Sequence, residues 1–168
     1  VDDILFWAKD GADIHDIAMM LCKRGVDLEQ EDDAAGFLGV TLERDEITGL
    51  MEMKQLGLID RVIDTLGLDN GMATGKFTPC ESSPLVRNEE GKFASGTFSY
   101  SSVVGMLLYL SGHSRPDIAY SVNCCAGYMF CPRHSHKLAL KRLGRYLKAT
   151  RMRGLILNAN TDMCKIDC

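Results

Sequence analysis

The amino terminus reads Val1-Asp2-Asp3-Ile4 and continues at once into the apolar run Leu5-Phe6-Trp7. Two adjacent carboxylates before residues with strong strand preference destabilise the fold unless a cation balances their charge or a tight turn keeps them in water. Neighbours on a straight strand point to opposite faces, so both carboxylates can share one ion only where the backbone bends, as in a hairpin turn. We therefore expect a strand from Val1 to Ala8 beside such a turn. Its partner strand would precede Val1, which predicts that the chain is part of a longer protein.

The charge of the chain is divided between its two ends. Residues 1–70 carry 17 acidic and 6 basic side chains, whereas residues 131–168 carry 9 basic and 2 acidic ones. The acidic end could hold a metal and the basic end could meet a polyanion, although two solvated surfaces would give the same pattern.

The cysteines and the apolar runs bear on the location of the protein. Seven cysteines at irregular spacing, with Cys124 next to Cys125, are typical of reduced thiols in an intracellular protein. The longest apolar run, Val103 to Leu110, is too short to span a bilayer and contains Gly105. The sequence therefore predicts a protein of the cytoplasm or nucleus with no membrane partner.

Helical spacing of apolar residues predicts a first helix, with Asp10 or Asp13 as its cap and Gly25 at its end. Its apolar positions are Ile14, Ile17, Ala18 and Leu21. An acidic connector, Asp27 to Asp33, then leads into the second strand-forming region.

A strand from Gly36 to Arg44, a turn at Thr48-Gly49 and a strand from Leu50 to Lys54 are predicted next. Strand, helix, strand and hairpin in this order indicate an α/β fold with one acidic edge. A further helix should run from Gln55 to Leu66 and end at Gly67. Its apolar face would consist of Ile59, Val62, Ile63 and Leu66.

The second half of the chain is predicted to be mainly helical. Residues from Gly71 to Gly96 are rich in Gly, Ser, Thr and Pro and should form an extended linker lying on another surface. Helices should follow at Phe98 to Gly112, Pro116 to Met129 and Ser135 to Thr150. A short strand is predicted at Gly154 to Leu157, and Met163 to Cys168 reads as the start of another.

Several segments, taken in order, resemble the carboxyl-terminal portion of a copia-type retrotransposon reverse transcriptase. In that family an aromatic residue followed by Val-Asp-Asp forms the catalytic hairpin of the polymerase palm, and Val1-Asp2-Asp3 matches it except for the aromatic residue. Arg115-Pro116-Asp117-Ile118 matches a strongly characteristic tetrapeptide. The remaining matches are Phe37-Leu38-Gly39, Thr78-Pro79, Val104-Gly105, Leu107-Leu108-Tyr109-Leu110, Arg142-Leu143, Arg145-Tyr146-Leu147-Lys148 and Thr150.

The resemblance implies a partial polymerase palm with antiparallel strands, followed by a mainly helical thumb and connection region. Residues 1–54 would be the end of the palm, and residues 55–96 a thumb-like helix with an extended linker. Residues 97–160 would form the helical connection region, and residues 161–168 the first strand of a ribonuclease H domain.

The activity implied by the resemblance is RNA-directed DNA polymerisation, in which a primer 3′ hydroxyl attacks the α-phosphate of a deoxynucleotide with the help of two Mg²⁺ ions. Asp2 and Asp3 would be catalytic and would bind the metal, as paired carboxylates do in phosphoryl transfer. The segment Phe37, Leu38, Gly39 and Val40 would seat the primer end. The implied partners are an RNA or DNA template-primer duplex, deoxynucleotides, and the upstream palm and fingers and downstream ribonuclease H segments. The chain by itself is expected to be inactive.

A basic stripe on the predicted last helix is the second candidate site. Its members recur at helical spacing and are Lys137, Lys141, Arg145 and Lys148. Such a stripe can follow nucleic-acid phosphates without reading their sequence, and a solvated outer face explains it equally well. A second stripe on the same helix, Leu140, Leu143 and Leu147, is expected to face the core.

Other chemistry finds less support in the sequence. Cys131, His134 and His136 could suggest zinc, but a structural site needs four ligands and only Cys124 or Cys125 could complete this one. No nucleophile motif, P-loop or dinucleotide glycine fingerprint occurs. The alternative to a polymerase segment is a degenerate, non-catalytic module that binds nucleic acid or acts as a helical interaction domain.

Overall fold

The computed structural model describes residues 11–28, 39–45, 47–69, 74–87, 91–93 and 98–158. In these ranges the chain forms helix α1 (Gly11–Lys23), strands β1 (Thr41–Arg44) and β2 (Leu50–Lys54), helices α2 (Leu56–Thr65), α3 (Tyr100–His113), α4 (Ala119–Ala126) and α5 (His134–Ala149), and strand β3 (Leu155–Asn158). The predicted α/β class is confirmed. The predicted strands at residues 1–8 and 163–168 lie outside the described residues.

Helix α1 forms where the apolar spacing predicts it and is followed by Gly25, whose φ of 86° is readily adopted only by glycine. The apolar side chains of α1 are half-buried or exposed, and Ile17 retains 39% of its accessible surface. No residue of α1 belongs to the core of the described ranges.

The three strands form one antiparallel sheet with β2 in the centre. Strand β1 pairs with β2 through Thr41 opposite Lys54, and the predicted turn between them is confirmed. The Asp45 carboxylate accepts hydrogen bonds from the N–H groups of Ile47 and Thr48, at 2.9 and 3.1 Å, and these bonds hold the pKa of Asp45 below its ordinary value. Gly49 completes the turn with a φ of 68°.

Strand β3 pairs with β2 along its other side, with Met53 opposite Leu155, so that the end of the described chain returns to the hairpin. Gly154 makes this return possible. A Cβ atom at that position would lie 2.5 Å from the carbonyl oxygen of Met53 and 2.9 Å from the Lys54 side chain.

Helices α2 to α5 enclose the hydrophobic core. Its fully inaccessible members are Ile59, Val62, Val103, Val104, Leu107, Leu110, Ile118, Val122, Leu140, Leu143 and Leu147. The predicted inner faces of α2 and α5 are therefore confirmed, and both helices contribute to the same core.

Helix α2 ends in a Schellman motif at Gly67, as its sequence position predicts. The N–H of Leu68 donates to the Ile63 carbonyl at 3.0 Å, and the N–H of Gly67 donates to the Asp64 carbonyl at 2.9 Å. The φ of Gly67 is 67°. Leu66 and Leu68 on either side of this glycine are buried and complete the core beside α5.

Helix α4 is shorter than the predicted helix from Pro116 to Met129. The segment Pro116–Ile118 forms a 3-10 turn with proline in its first turn, and the α-helix ends at Ala126. Residues 74–87, within the predicted linker, contain no helix or strand. None of the helices in the described ranges is long and apolar enough to cross a membrane.

Replacement of Gly154 by alanine is expected to destabilise the fold. Because the new Cβ atom would meet a backbone carbonyl of β2, the strands must shift, at a cost of about 1–3 kcal/mol in the free energy of unfolding. Gly105→Ala is the matched control, since a Cβ atom there has no neighbour within 4 Å. That change in the middle of α3 should stabilise the protein by about 0.5–1 kcal/mol. Urea unfolding of both variants tests the pair, and equal effects would contradict the close approach.

Candidate functional site

The predicted catalytic residues Asp2 and Asp3 and the first half of the predicted primer-binding segment, Phe37 and Leu38, lie outside the described residues. The second half is described. Gly39 has a φ of 71°, and Val40 is 5% exposed directly before β1. This segment therefore enters the sheet through a glycine-dependent bend, and its contact with a primer stays a prediction.

Both ends of the basic stripe on α5 contact other parts of the chain. Lys137 is 7% exposed, and its Nζ lies 4.5 Å from the ring centre of Phe98 and 3.5 Å from the Phe98 carbonyl oxygen. At the other end, Nζ of Lys148 donates to the Leu68 carbonyl at 2.6 Å. The two ends of the stripe thus hold α5 to the rest of the helical core.

The middle of the stripe makes fewer contacts than its ends. Lys141 and Arg145 are both half-buried, and within the described part of the chain Lys141 makes no hydrogen bond or ion pair. Of the four residues predicted to contact phosphates, Lys141 and Arg145 are therefore the candidates that remain, and their contact stays a prediction.

The best-defined polar cluster surrounds Arg115, which is 1% exposed. Its Nε and Nη2 donate to the two carboxylate oxygens of Asp117, at 2.9 and 2.8 Å. Its Nη1 donates to the Thr150 carbonyl at 3.0 Å, and Nη2 also donates to the Thr150 hydroxyl at 2.7 Å. A buried guanidinium is tolerated only when it is paired and hydrogen-bonded in this way.

Tyr146 closes the cluster from α5. Its hydroxyl donates to the Asp117 carboxylate at 2.7 Å, and the Arg115 guanidinium carbon lies 5.6 Å from its ring centre. Burial favours the neutral form of Asp117, but the bonds from Arg115 and Tyr146 outweigh burial and hold the pKa of Asp117 below its ordinary value. Burial and the bond to Asp117 raise the pKa of Tyr146.

The cluster joins two segments that are 35 residues apart in sequence. Arg115 and Asp117 belong to the tetrapeptide before α4, whereas Tyr146 and Thr150 belong to the last of the segments that resemble the polymerase family. The sequence indicated both segments but not their contact. Their arrangement locks α4 to the end of α5, which is a structural role.

Both ring nitrogens of His136 in α5 contact backbone atoms. The Nδ1 atom of His136 accepts a hydrogen bond from the Arg133 N–H at 2.9 Å, and its Nε2 lies 3.2 Å from the Val86 carbonyl oxygen. His136 is 1% exposed and therefore lies in the interior. No group of three or more metal-binding side chains occurs in the described ranges.

His136 and Tyr128 together fasten the linker. Their rings stack with centres 4.0 Å apart, and the Tyr128 hydroxyl donates to the Leu85 carbonyl at 3.0 Å. Burial raises the pKa of the Cys125 thiol to about 11. Nothing in the sequence pattern distinguished these linker contacts from an ordinary surface turn.

The chain is similar to retrotransposon polyproteins along nearly its whole length. It is 33% identical over 165 residues to the retrovirus-related Pol polyprotein from transposon RE1 of Arabidopsis thaliana, which covers 97% of this chain and 11% of the polyprotein. It is 29% identical over 158 residues to the Pol polyprotein from transposon TNT 1-94 of Nicotiana tabacum, covering 89% of this chain and 12% of the polyprotein.

A third relative is a putative transposon Ty5-1 protein of Saccharomyces cerevisiae, 31% identical over 131 residues, with coverage of 64% of this chain and 42% of the yeast protein. No protein-family model matches the chain. No solved structure matches it either.

The pairing of Arg115 with Asp117 generates a pH-dependent prediction. Asp117→Asn leaves the buried guanidinium without its counter-charge and should lower the free energy of unfolding at pH 7 by about 2–3 kcal/mol, less than for a fully buried pair because Asp117 is partly exposed. Because the folded-state pKa of Asp117 lies below its unfolded value, this stabilisation is present at neutral pH and is lost as the pH falls below about 4.

Urea unfolding of the parent chain and the variant between pH 7 and pH 3 measures the effect. The difference between the two proteins should shrink toward the acidic end. Asp64→Asn, at an exposed position of α2, is the control and should change stability by no more than about 0.5 kcal/mol. A difference that does not depend on pH would contradict the charged pairing.

Proposed function

The chain belongs to the Pol polyproteins of copia-type retrotransposons, and we propose that it carries the end of a reverse transcriptase palm followed by the thumb and connection region. The observation that carries the proposal is the order of the motifs. From Val1-Asp2-Asp3 to Thr150 they follow the polymerase pattern along the same chain whose homology to Pol spans 165 residues. The chain covers only about a ninth of the two plant polyproteins, so polymerisation is proposed for the parent protein.

The proposed reaction is the attack of a primer 3′ hydroxyl on the α-phosphate of a deoxynucleotide. Asp2 and Asp3 supply two adjacent carboxylates, which are hard oxygen ligands of the kind that Mg²⁺ prefers. Magnesium bound there would neutralise charge on the reacting phosphate oxygens. The chain's own contribution is to supply the two carboxylates at the start of the apolar segment Ile4 to Trp7 and to supply the segment Phe37 to Val40, directly before β1, for the primer end.

The helical region has a supporting role in this proposal. The Arg115 cluster and the ends of the basic stripe fix α5 against α2 and α4, so that α5 is a rigid element. A rigid helix with Lys141 and Arg145 in the middle of its basic stripe could position the phosphates of a template-primer duplex. That duplex and the deoxynucleotides are the proposed partners.

Primer extension by the parent polymerase tests the proposed catalytic pair. Asp2→Asn or Asp3→Asn should lower the extension rate by on the order of 10²–10³-fold, because each change removes a carboxylate ligand of the Mg²⁺ that would offset the developing phosphate charge. Asp13→Asn on exposed α1 is the control and should retain the parent rate. The isolated 168-residue chain should show no extension. Unchanged extension by the Asp2 and Asp3 variants would favour the non-catalytic module instead.

Binding of the chain to an RNA–DNA duplex at several salt concentrations tests the middle of the stripe. The double change Lys141→Ala with Arg145→Ala should weaken binding and reduce the slope of log K against log salt by about 1–2 units, as expected for one or two lost phosphate contacts. Lys23→Ala with Arg24→Ala removes two exposed charges at the end of α1 and is the matched control. An equal slope for the two double variants would mean that the stripe only faces solvent.

A further inference from the structure

A cleft of about 560 Å³ lies between the linker and helices α4 and α5, and its lining includes none of the residues proposed for polymerisation. Linker residues 79–85 form one wall, residues of α4 from Tyr120 to Cys124 form the second, and one face of α5 from Ser135 to Arg142 forms the third. Its size is within the range of clefts that hold small organic ligands.

The walls of the cleft are mainly apolar. Its apolar contributors include Pro79, Pro84, Leu85, Leu138 and Ala139. Leu138 is 53% exposed, so part of this apolar surface remains in contact with water. A ligand with an apolar body would remove that surface from water, which is favourable.

Three polar atoms in the lining residues are buried and have no hydrogen-bond partner in the described part of the chain. They are the hydroxyl oxygens of Ser121 and Ser135 and the Nε of Arg142. Ser121 is 4% exposed. A buried polar group without a hydrogen-bond partner destabilises the folded state. Most buried polar groups in native proteins are therefore paired with the protein, with water or with a ligand.

Arg142 determines which ligand chemistry fits. Its Nη2 donates to the Thr78 hydroxyl at 2.8 Å, and its Nη1 lies 3.3 Å from a carboxylate oxygen of Glu81. These contacts hold the guanidinium plane in place. The Nε–H is then a fixed donor, and the Glu81 carboxylate, whose side chain is 70% exposed, makes only a long ion pair. The serine hydroxyls can either donate or accept, so the donor-only Nε–H of Arg142 is the group that requires a hydrogen-bond acceptor.

Spacing along α5 sets the length of the ligand. Ser135 and Arg142 are seven residues apart on one helical face, which corresponds to about 10 Å at 1.5 Å per residue. Leu138 and Ala139 lie between them and line the same cleft. The polar groups are therefore separated by an apolar stretch rather than gathered at one point.

We propose that this cleft binds a medium-chain organic carboxylate, with its carboxylate at Arg142 and its apolar body along α5 toward Ser135. A carboxylate is the acceptor that pairs best with a guanidinium. This binding site is independent of nucleotide transfer, because it uses none of the residues assigned to that reaction.

Calorimetric titration of the 168-residue chain with sodium octanoate tests the proposal, and octylammonium chloride is the comparison because it has the same apolar body with a donor head group. Octanoate should bind saturably at one site, at least about tenfold more tightly than octylammonium, which corresponds to about 1.4 kcal/mol. Absence of saturable octanoate binding, or equal affinities for the two probes, would overturn the proposal.

Variants assign the binding to this cleft. Arg142→Gln should weaken octanoate binding at least about tenfold, because it removes the positive charge that pairs with the carboxylate. Ser121→Ala should weaken it while leaving the thermal unfolding temperature unchanged or raised, since it removes a buried hydroxyl that lacks a partner. Ser135→Ala should leave the affinity unchanged, because Ser135 lies toward the apolar end of the bound molecule. The Ser121→Ala variant keeps the test valid if Arg142→Gln fails to fold.

Ser111→Ala is the matched control, because Ser111 is a helical serine outside the cleft whose hydroxyl donates to the Leu108 carbonyl at 2.9 Å. Its octanoate affinity should equal that of the parent chain. If Ser121→Ala and Arg142→Gln bind octanoate as tightly as the parent chain, the probe binds elsewhere and the proposal is wrong.

Discussion

The burial of the Arg115 guanidinium is the constraint on which the helical half depends. A charge that is 1% exposed must be surrounded by acceptors, and these come from Asp117 beside it in sequence and from Thr150 at the end of α5. The start of α4 and the end of α5 can therefore separate only if a buried cation loses its partners. Tyr146 adds an apolar ring to the same contact and so joins the polar cluster to the hydrophobic core.

This contact changes what the family motifs mean for function. The tetrapeptide that contains Arg115 and the later segment that contains Tyr146 and Thr150 are among the clearest points of resemblance to the polymerase family, yet in the structure they bind each other. Their role is to hold the helices. The chemistry proposed for the parent protein belongs instead to Asp2 and Asp3, at the opposite end of the chain. The residues that hold the helices together are thus different from those proposed for catalysis.

The side chains of α5 are divided among three tasks. Leu140, Leu143 and Leu147 fill the core, Lys137 and Lys148 hold neighbouring elements, and Arg142 faces the linker. A basic helix seen in a sequence suggests one continuous binding surface. Here the long side chains of lysine and arginine reach carbonyl groups and aromatic rings nearby, which leaves only the middle of the stripe for an outside partner.

The sequence by itself determined the local structure, because helical spacing, glycine positions and turn chemistry act between residues that are close in the chain. The hairpin at Gly49, the end of α2 at Gly67 and the inner faces of α2 and α5 were all predictable for that reason. Only the tertiary structure decided the long-range contacts: β3 beside β2, Arg115 with Thr150, buried His136 under the linker, and the cleft at Arg142. Each joins residues distant in sequence, and a buried charge or unpaired hydroxyl has no periodic pattern that would reveal its partner in advance.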